Sequence, residues 1–223
     1  MTKITERGMI FNAEMVRAIL DGRKTQTRRI MKPQPTPDDY VCPYEGPRGG
    51  HIWPSKNHQY GLHVEEMLQN GKGGWEGLAS EACHFGNIGD RIWVRETWAE
   101  AGAGAPDLLL YRANYPEHVP PHYDNVPPAE GIRWTPSIHM PRWASRILLE
   151  ITDVRVERLQ AITLGDICKE FGCGLYDFRP ATYGFQAWEE LWKSIYGDDS
   201  WQANPWVWVI EFKRIEGADH ATD

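Results

Sequence analysis

Arg146-Ile147-Leu148-Leu149-Glu150-Ile151-Thr152-Asp153-Val154-Arg155-Val156-Glu157-Arg158-Leu159 is the stretch that decides the architecture. Ile147, Leu149 and Ile151 recur at every second position, the period of a strand with one buried face, and the phase changes across Thr152-Asp153 before Val154 and Val156. A phase change inside a long strand predicts a bulge or bend, as barrel walls often have. Downstream, Thr163 as N-cap, Asp166 three residues on and Gly172 as a stop predict a short helix with Glu170 in its last turn. Phe185, Trp188, Leu191, Trp192 and Ile195 then make an apolar stripe, predicting a helix over about Phe185 to Tyr196. After the Asn204-Pro205 turn, Trp206 to Phe212 is β-branched and aromatic and reads as a closing strand.

Upstream, Gly89-Asp90 turns into Arg91 to Trp98, a strand with Ile92, Val94 and Glu96 on one face. Near the start, Met15, Val16, Ile19 and Leu20 predict a helix over Ala13 to Asp21, with Asn12 as N-cap, Phe11 stapling onto Val16 and Gly22 ending it. Two stretches rich in Pro and Gly, about 34–88 and 99–136, read as long insertions. The first carries a hint of helix at 64–68, the second a short strand at Leu108 to Arg112. There is no internal repeat, and the order of elements lacks the alternation a parallel βαβ sheet requires. The expectation is a single α+β domain over 1–216, a small mixed β-barrel with flanking helices and two insertions, followed by a polar tail at 217–223.

The 223 residues carry 24 Lys and Arg against 31 Asp and Glu, and a net charge of −7 weighs against sequence-blind gripping of duplex phosphates while leaving room for a local basic site. The longest hydrophobic run is Trp206 to Ile210, far short of the ~18 residues of a membrane span. The first residues lack the apolar core of a secretion signal, so the cytoplasm is the expected compartment and no membrane partner is expected. Cys42, Cys83, Cys168 and Cys173 form no CxxC and read as reduced thiols. Cys42, His51, His58, His63, Cys83 and His84 are zinc-ligand types, but their irregular spacing predicts neither a metal site nor a cofactor.

The densest basic cluster is Gly22-Arg23-Lys24-Thr25-Gln26-Thr27-Arg28-Arg29, directly after the first helix. On a regular strand Lys24 and Thr27 point to opposite faces; in a turn they can converge. A Lys in a dry pocket can lose its proton and activate a neighbouring hydroxyl, which would make Thr27 a nucleophile. Equally open are an anion-binding turn of Lys24, Arg28 and Arg29, and a solvated basic turn of the kind most charge clusters form.

Gly22-Arg23-Lys24-x-x-Thr27-x-Arg29 resembles the GxKxxTxR signature of the ASCH superfamily, whose members have a barrel similar to the PUA domain. The likeness extends over most of the chain outside the insertions. It includes runs shared with phage and prophage ASCH proteins, such as Gly89 to Trp98 and Ile138 to Arg146. The resemblance implies a PUA-like barrel and, by analogy with a short bacterial N4-acetylcytidine amidohydrolase of the family, catalysis by Lys24, Thr27 and Glu170 without a metal. In that scheme Lys24 is the base, Thr27 the nucleophile and Glu170 the acid that protonates the leaving amine. This chain is about twice as long as that enzyme, so its insertions could reshape the pocket.

Arg29 and Arg28 would fix the loop or the substrate. Glu96 is the rival carboxylate, with an ion pair to Arg95 as the plain alternative, and Arg142 and Trp143 could orient a base by stacking unless Trp143 packs in the core. A Glu in a last helical turn is most often simply solvated, so Glu170 has a plain reading too. The implied partner is a small modified nucleoside; other ASCH members resemble binders of RNA, here single-stranded RNA or modified nucleic acid, or ribonucleases.

Overall fold

The computed structural model describes residues 4–37, 41–42, 46–47, 50–53, 62–65, 83–123 and 125–215. In chain order the elements begin with β1 (Glu6–Ile10), α1 (Ala13–Leu20) and β2 (Gln26–Ile30). The first insertion contributes β3 (Thr36–Pro37), β4 (Val41–Cys42), β5 (Gly46–Pro47), β6 (Gly50–Trp53) and β7 (Leu62–Glu65). Then come β8 (Arg91–Arg95), β9 (Trp98–Glu100), β10 (Leu109–Tyr111), β11 (Leu148–Arg158), α2 (Leu164–Phe171), α3 (Thr182–Tyr196), α4 (Asp198–Gln202) and β12 (Trp206–Arg214).

The chain is α+β, built on a mixed five-stranded sheet in the order β1-β8-β11-β12-β2, with β1 parallel to β8 and the other pairs antiparallel. The phase change expected in β11 is real: its register against β12 shifts between Ile151 and Asp153. β12 is buried on both faces. Trp206, Trp208, Ile210 and Phe212 join Met9, Ile92, Val94, Leu149, Ile151 and the α1 residues Val16 and Ile19 in one core, while Val207 and Val209 pack with Ile167, Trp188 and Trp192 in a second. The sheet therefore packs one face against α1 and the other against α2 and α3.

The expected closed barrel is not hydrogen-bonded shut among the described residues, since β1 and β2 share no ladder. A side chain spans the seam instead. Arg29 on β2 donates to the carbonyl of Ile10 on β1 at 2.8 Å and lies over the ring of Phe11 at 5.3 Å.

Several ends are set by local chemistry. The Asn12 side chain accepts from the Met15 amide at 2.8 Å, and Thr163 accepts from the Asp166 amide at 3.1 Å while donating to its carboxylate at 2.8 Å. The helix expected from Phe185 begins earlier, at Thr182, and its buried stripe is Gly184, Trp188 and Trp192, leaving Phe185 and Ile195 exposed. The suggested helix at 64–68 is corrected in part: Leu62–Glu65 is a strand paired to Gly50–Trp53, whose ladder supplies the backbone bonds that so short a helix could not nucleate, and 66–68 lies outside the described residues. The second insertion carries the expected short strand as β10, paired with β9.

Gly172 ends α2 at φ +71°, and a Cβ there would stand 2.9 Å from the Ala18 Cβ and 3.0 Å from that of Arg23. Gly172→Ala combines a left-handed backbone with overpacking, and is expected to cost about 2–4 kcal/mol. Urea denaturation measures this, and a loss below about 0.5 kcal/mol would mean that the two helix ends do not press together as described.

Candidate functional site

The segment that resembles the signature joins two helix ends. Gly22, at φ +70°, turns the chain so that the amides of Arg23 and Lys24 both donate to the Ala18 carbonyl of α1, at 2.8 and 2.9 Å. The same residues then complete the end of α2, whose last carbonyls lack partners within the helix. The Thr25 amide donates to Lys169 O at 3.2 Å, the Lys24 Nζ to Glu170 O at 2.6 Å, and the Arg23 guanidinium to Gly172 O at 2.5 Å. Cations at a helix C-terminus are well placed against its dipole.

Lys24 also meets the Glu170 carboxylate, Nζ to Oε2, at 2.8 Å; the two residues are 2% and 3% exposed. Burial outweighs the attraction of Glu170 and pushes the Lys24 amine below its ordinary 10.5, with Arg29 and Arg28 pressing the same way. On the strand that follows, Gln26 and Arg28 share the face of Lys24. Arg28 stands 3.5 Å from Glu170 Oε1, 2.9 Å from Glu157 and 3.5 Å from Asp166, and donates to Gln26 Oε1. Gln26 in turn donates to Asp166 at 3.1 Å and Glu211 at 3.0 Å. Arg155 completes the layer, bonding Asp153, Glu157 and Glu211 at 3.0, 2.6 and 2.9 Å. Burial pushes the Asp166 carboxyl up, but bonds from Thr163 and Gln26 and the charges of Arg28 and Arg155 hold it below 3.8. Gln26, Arg155, Glu157 and Glu211 were not singled out as site residues by sequence reasoning, and Asp166 only as a helix-capping partner; the signal available was Arg155 and Glu157 alternating with Val154 and Val156.

The structure thus brings Lys24, Glu170 and Arg28 together. It does not join Thr27 to them. Gln26 and Arg28 bond each other on one face of β2, so alternation sends Thr27 and Arg29 to the other, and Thr27 pairs with Ile210, a residue of the core that includes α1. The Thr27 hydroxyl has no hydrogen bond to any described side chain, and the residue is 3% exposed.

Glu96 belongs to a second polar cluster. Its partner is Arg146, at 2.9 and 3.0 Å, rather than the expected Arg95, which lies over Trp93 and donates to Ile138 O. Arg146 also bonds Asn114 at 2.8 Å and stacks on Tyr111 at 4.0 Å, so the pair anchors the second insertion to the sheet. Arg142 is held by Glu6 at 2.9 Å. Trp143 is not core: it is 58% exposed, edge to face with Trp98 at 5.4 Å. Of the Cys42 to His84 group, only Cys83 and His84 have described side chains; burial pushes the Cys83 thiol up to about 11.

In that second cluster His118 accepts from the Tyr111 amide at Nε2, 3.1 Å away, so its proton sits on Nδ1, which donates to Asn114 O at 3.2 Å. Burial lowers its proton affinity below the ordinary 6.5, with Arg146 acting the same way and Glu96 and the backbone carbonyls of Asn114 and Leu109 opposing. Between that lowered midpoint and 6.5 the unfolded chain holds more protons than the folded one, so stability rises with pH across the window. The protection factor of the Tyr111 amide, its exchange rate divided into the intrinsic rate at the same pH, is therefore expected to fall on acidification from pH 7.5 to 5.5; His118→Asn should abolish that fall, and a protection factor independent of pH in the unmutated chain would contradict this role.

No family model matches the chain, and no curated protein or solved structure matches it. No helix among the described residues is long and apolar enough to cross a membrane.

Proposed function

We propose that the chain is an ASCH-type amidohydrolase with a PUA-like barrel, removing an acyl group from the N4 amine of a modified cytidine nucleoside. The observation that carries this reading is the sealed contact of Lys24 with Glu170, in which burial favours the neutral, basic form of the amine. Lys24 takes the proton of the Thr27 hydroxyl as its oxygen attacks the acyl carbon. The proton passes along the 2.8 Å Nζ to Oε2 contact to Glu170, which delivers it to the departing N4 amine. Water, giving a proton to Lys24, then attacks the acyl carbon, and Lys24 returns that proton to the departing Thr27 oxygen, releasing the carboxylic acid and restoring the hydroxyl.

In this reading Thr27 has to come round from the far face of β2 to Lys24, whose contact with Glu170 stays in place as the proton path. The seam bridged by Arg29 supports the barrel reading. Incubation with N4-acetylcytidine followed by chromatography tests the activity, and the absence of cytidine after prolonged incubation would sink it.

The alternative, a non-catalytic reader of single-stranded RNA or modified nucleic acid, is favoured by the exposed Trp143, a ready stacking surface beside Arg142.

A further inference from the structure

Arg23 is not a fixed position of the signature, yet it makes the outermost contact in the joint between α1, β2 and α2. Its guanidinium is held by Asp21 at 2.7 and 3.2 Å and reaches Gly172 O at 2.5 Å. Gly172 is the residue on which α2 turns; its amide and that of Cys173 close the helix on Cys168 O, at 2.7 and 3.1 Å. Two residues back along the helix stands Glu170, and one residue along from Arg23 stands Lys24. The pair at 2.8 Å is therefore flanked on its outer side by the Arg23 to Gly172 bond and on its inner side by Arg28. Without Arg23, the last turn of α2 keeps the bonds from Thr25 and Lys24, the Arg28 contact to Glu170 and the Lys169 to Glu211 pair, but nothing holds the Gly172 carbonyl from the 22–25 joint.

We propose that Arg23 is a positioning residue: by clamping Gly172 O it seats the C-terminal end of α2, and with it Glu170, on Lys24. The inference rests on the amidohydrolase reading for its catalytic consequence but not for its structural one. Loosening the clamp admits water to Lys24, relieving the desolvation that holds its amine down and moving its titration towards the ordinary value.

The test uses the full chain with Arg23→Ala and Arg23→Lys, the side chain being half exposed so that both variants should fold. Lysine labelled with 13C at Cε lets the Lys24 amine be titrated by NMR, while kcat and KM are measured on N4-acetylcytidine across pH. In Arg23→Ala the titration midpoint should move up, kcat should fall about 10-fold or more with KM within about twofold, and the rising limb of the pH profile should follow the NMR midpoint. Arg23→Lys, which keeps a donor for Gly172 O, should recover much of both. An unmoved midpoint in Arg23→Ala overturns the inference. A midpoint that moves in a chain whose unmutated form produces no cytidine upholds the positioning of the pair and removes the hydrolase reading. Hydrolysis with kcat unchanged in Arg23→Ala keeps the hydrolase and rejects Arg23.

Discussion

Glu170→Ala is expected to destabilise the fold by about 3–5 kcal/mol, because it leaves Lys24 and Arg28 buried with their shared carboxylate gone. The loss should shrink as pH rises: burial already disfavours the charged Lys24 amine, and without Glu170 it gives up its proton more readily, so the penalty of a bare charge fades above the lowered midpoint. Lys24→Met combined with Glu170→Leu removes both charges and fills the space, and should recover more than half of the loss. Urea denaturation of the three variants across pH measures this. Equal destabilisation at every pH, with no recovery in the double variant, would mean that the side-chain volume of Glu170 matters and the charge pair does not.

Lys24→Arg should abolish turnover of N4-acetylcytidine almost as completely as Lys24→Ala, by about 100-fold or more, since a guanidinium keeps the charge but cannot surrender a proton at any working pH. Binding of single-stranded RNA through a phosphate contact should instead survive the Arg change and weaken with Ala, in a salt-dependent way. The two functional readings therefore give opposite patterns in the same pair of variants. Full hydrolysis in Lys24→Arg would remove the general-base role.

The sequence was most legible where one face of an element is apolar. β8, β11, β12, α1 and α2 follow their hydrophobic periods and caps, and even the bulge in β11 is written in the phase of Ile151 and Val154. It was least legible at the sheet edges. β1 has only Met9 buried, and β2, Gln-Thr-Arg-Arg-Ile, looks like a solvated turn although its first three residues are buried. What buries Gln26 and Arg28 is a layer of ion pairs and hydrogen bonds with β11, α2 and β12, partners more than a hundred residues away, which no local pattern announces; Thr27 is buried on the other face, beside Ile210. Lys24, taken from the signature, and Glu170, taken from the position of its helix, stand 2.8 Å apart. Thr27 was expected to turn towards them, but an extended chain from Gln26 to Ile30 places it on the opposite face.

The joint at residues 22–25 also determines where this chain can tolerate a change of length. One residue added there would exchange the two faces of β2, carrying Gln26 and Arg28 into an oily interior and Arg29 away from the seam, and would set the ends of both helices out of step. Between β2 and β8, by contrast, the connection leaves the five-stranded sheet at Ile30 and rejoins it at Arg91, and closing a longer loop costs only about 0.6 kcal/mol for each doubling. Among kindred chains, gain and loss of residues should therefore collect after β2 and be almost nil before it. A peptide tag or a whole guest domain grafted for engineering belongs in the same permissive stretch.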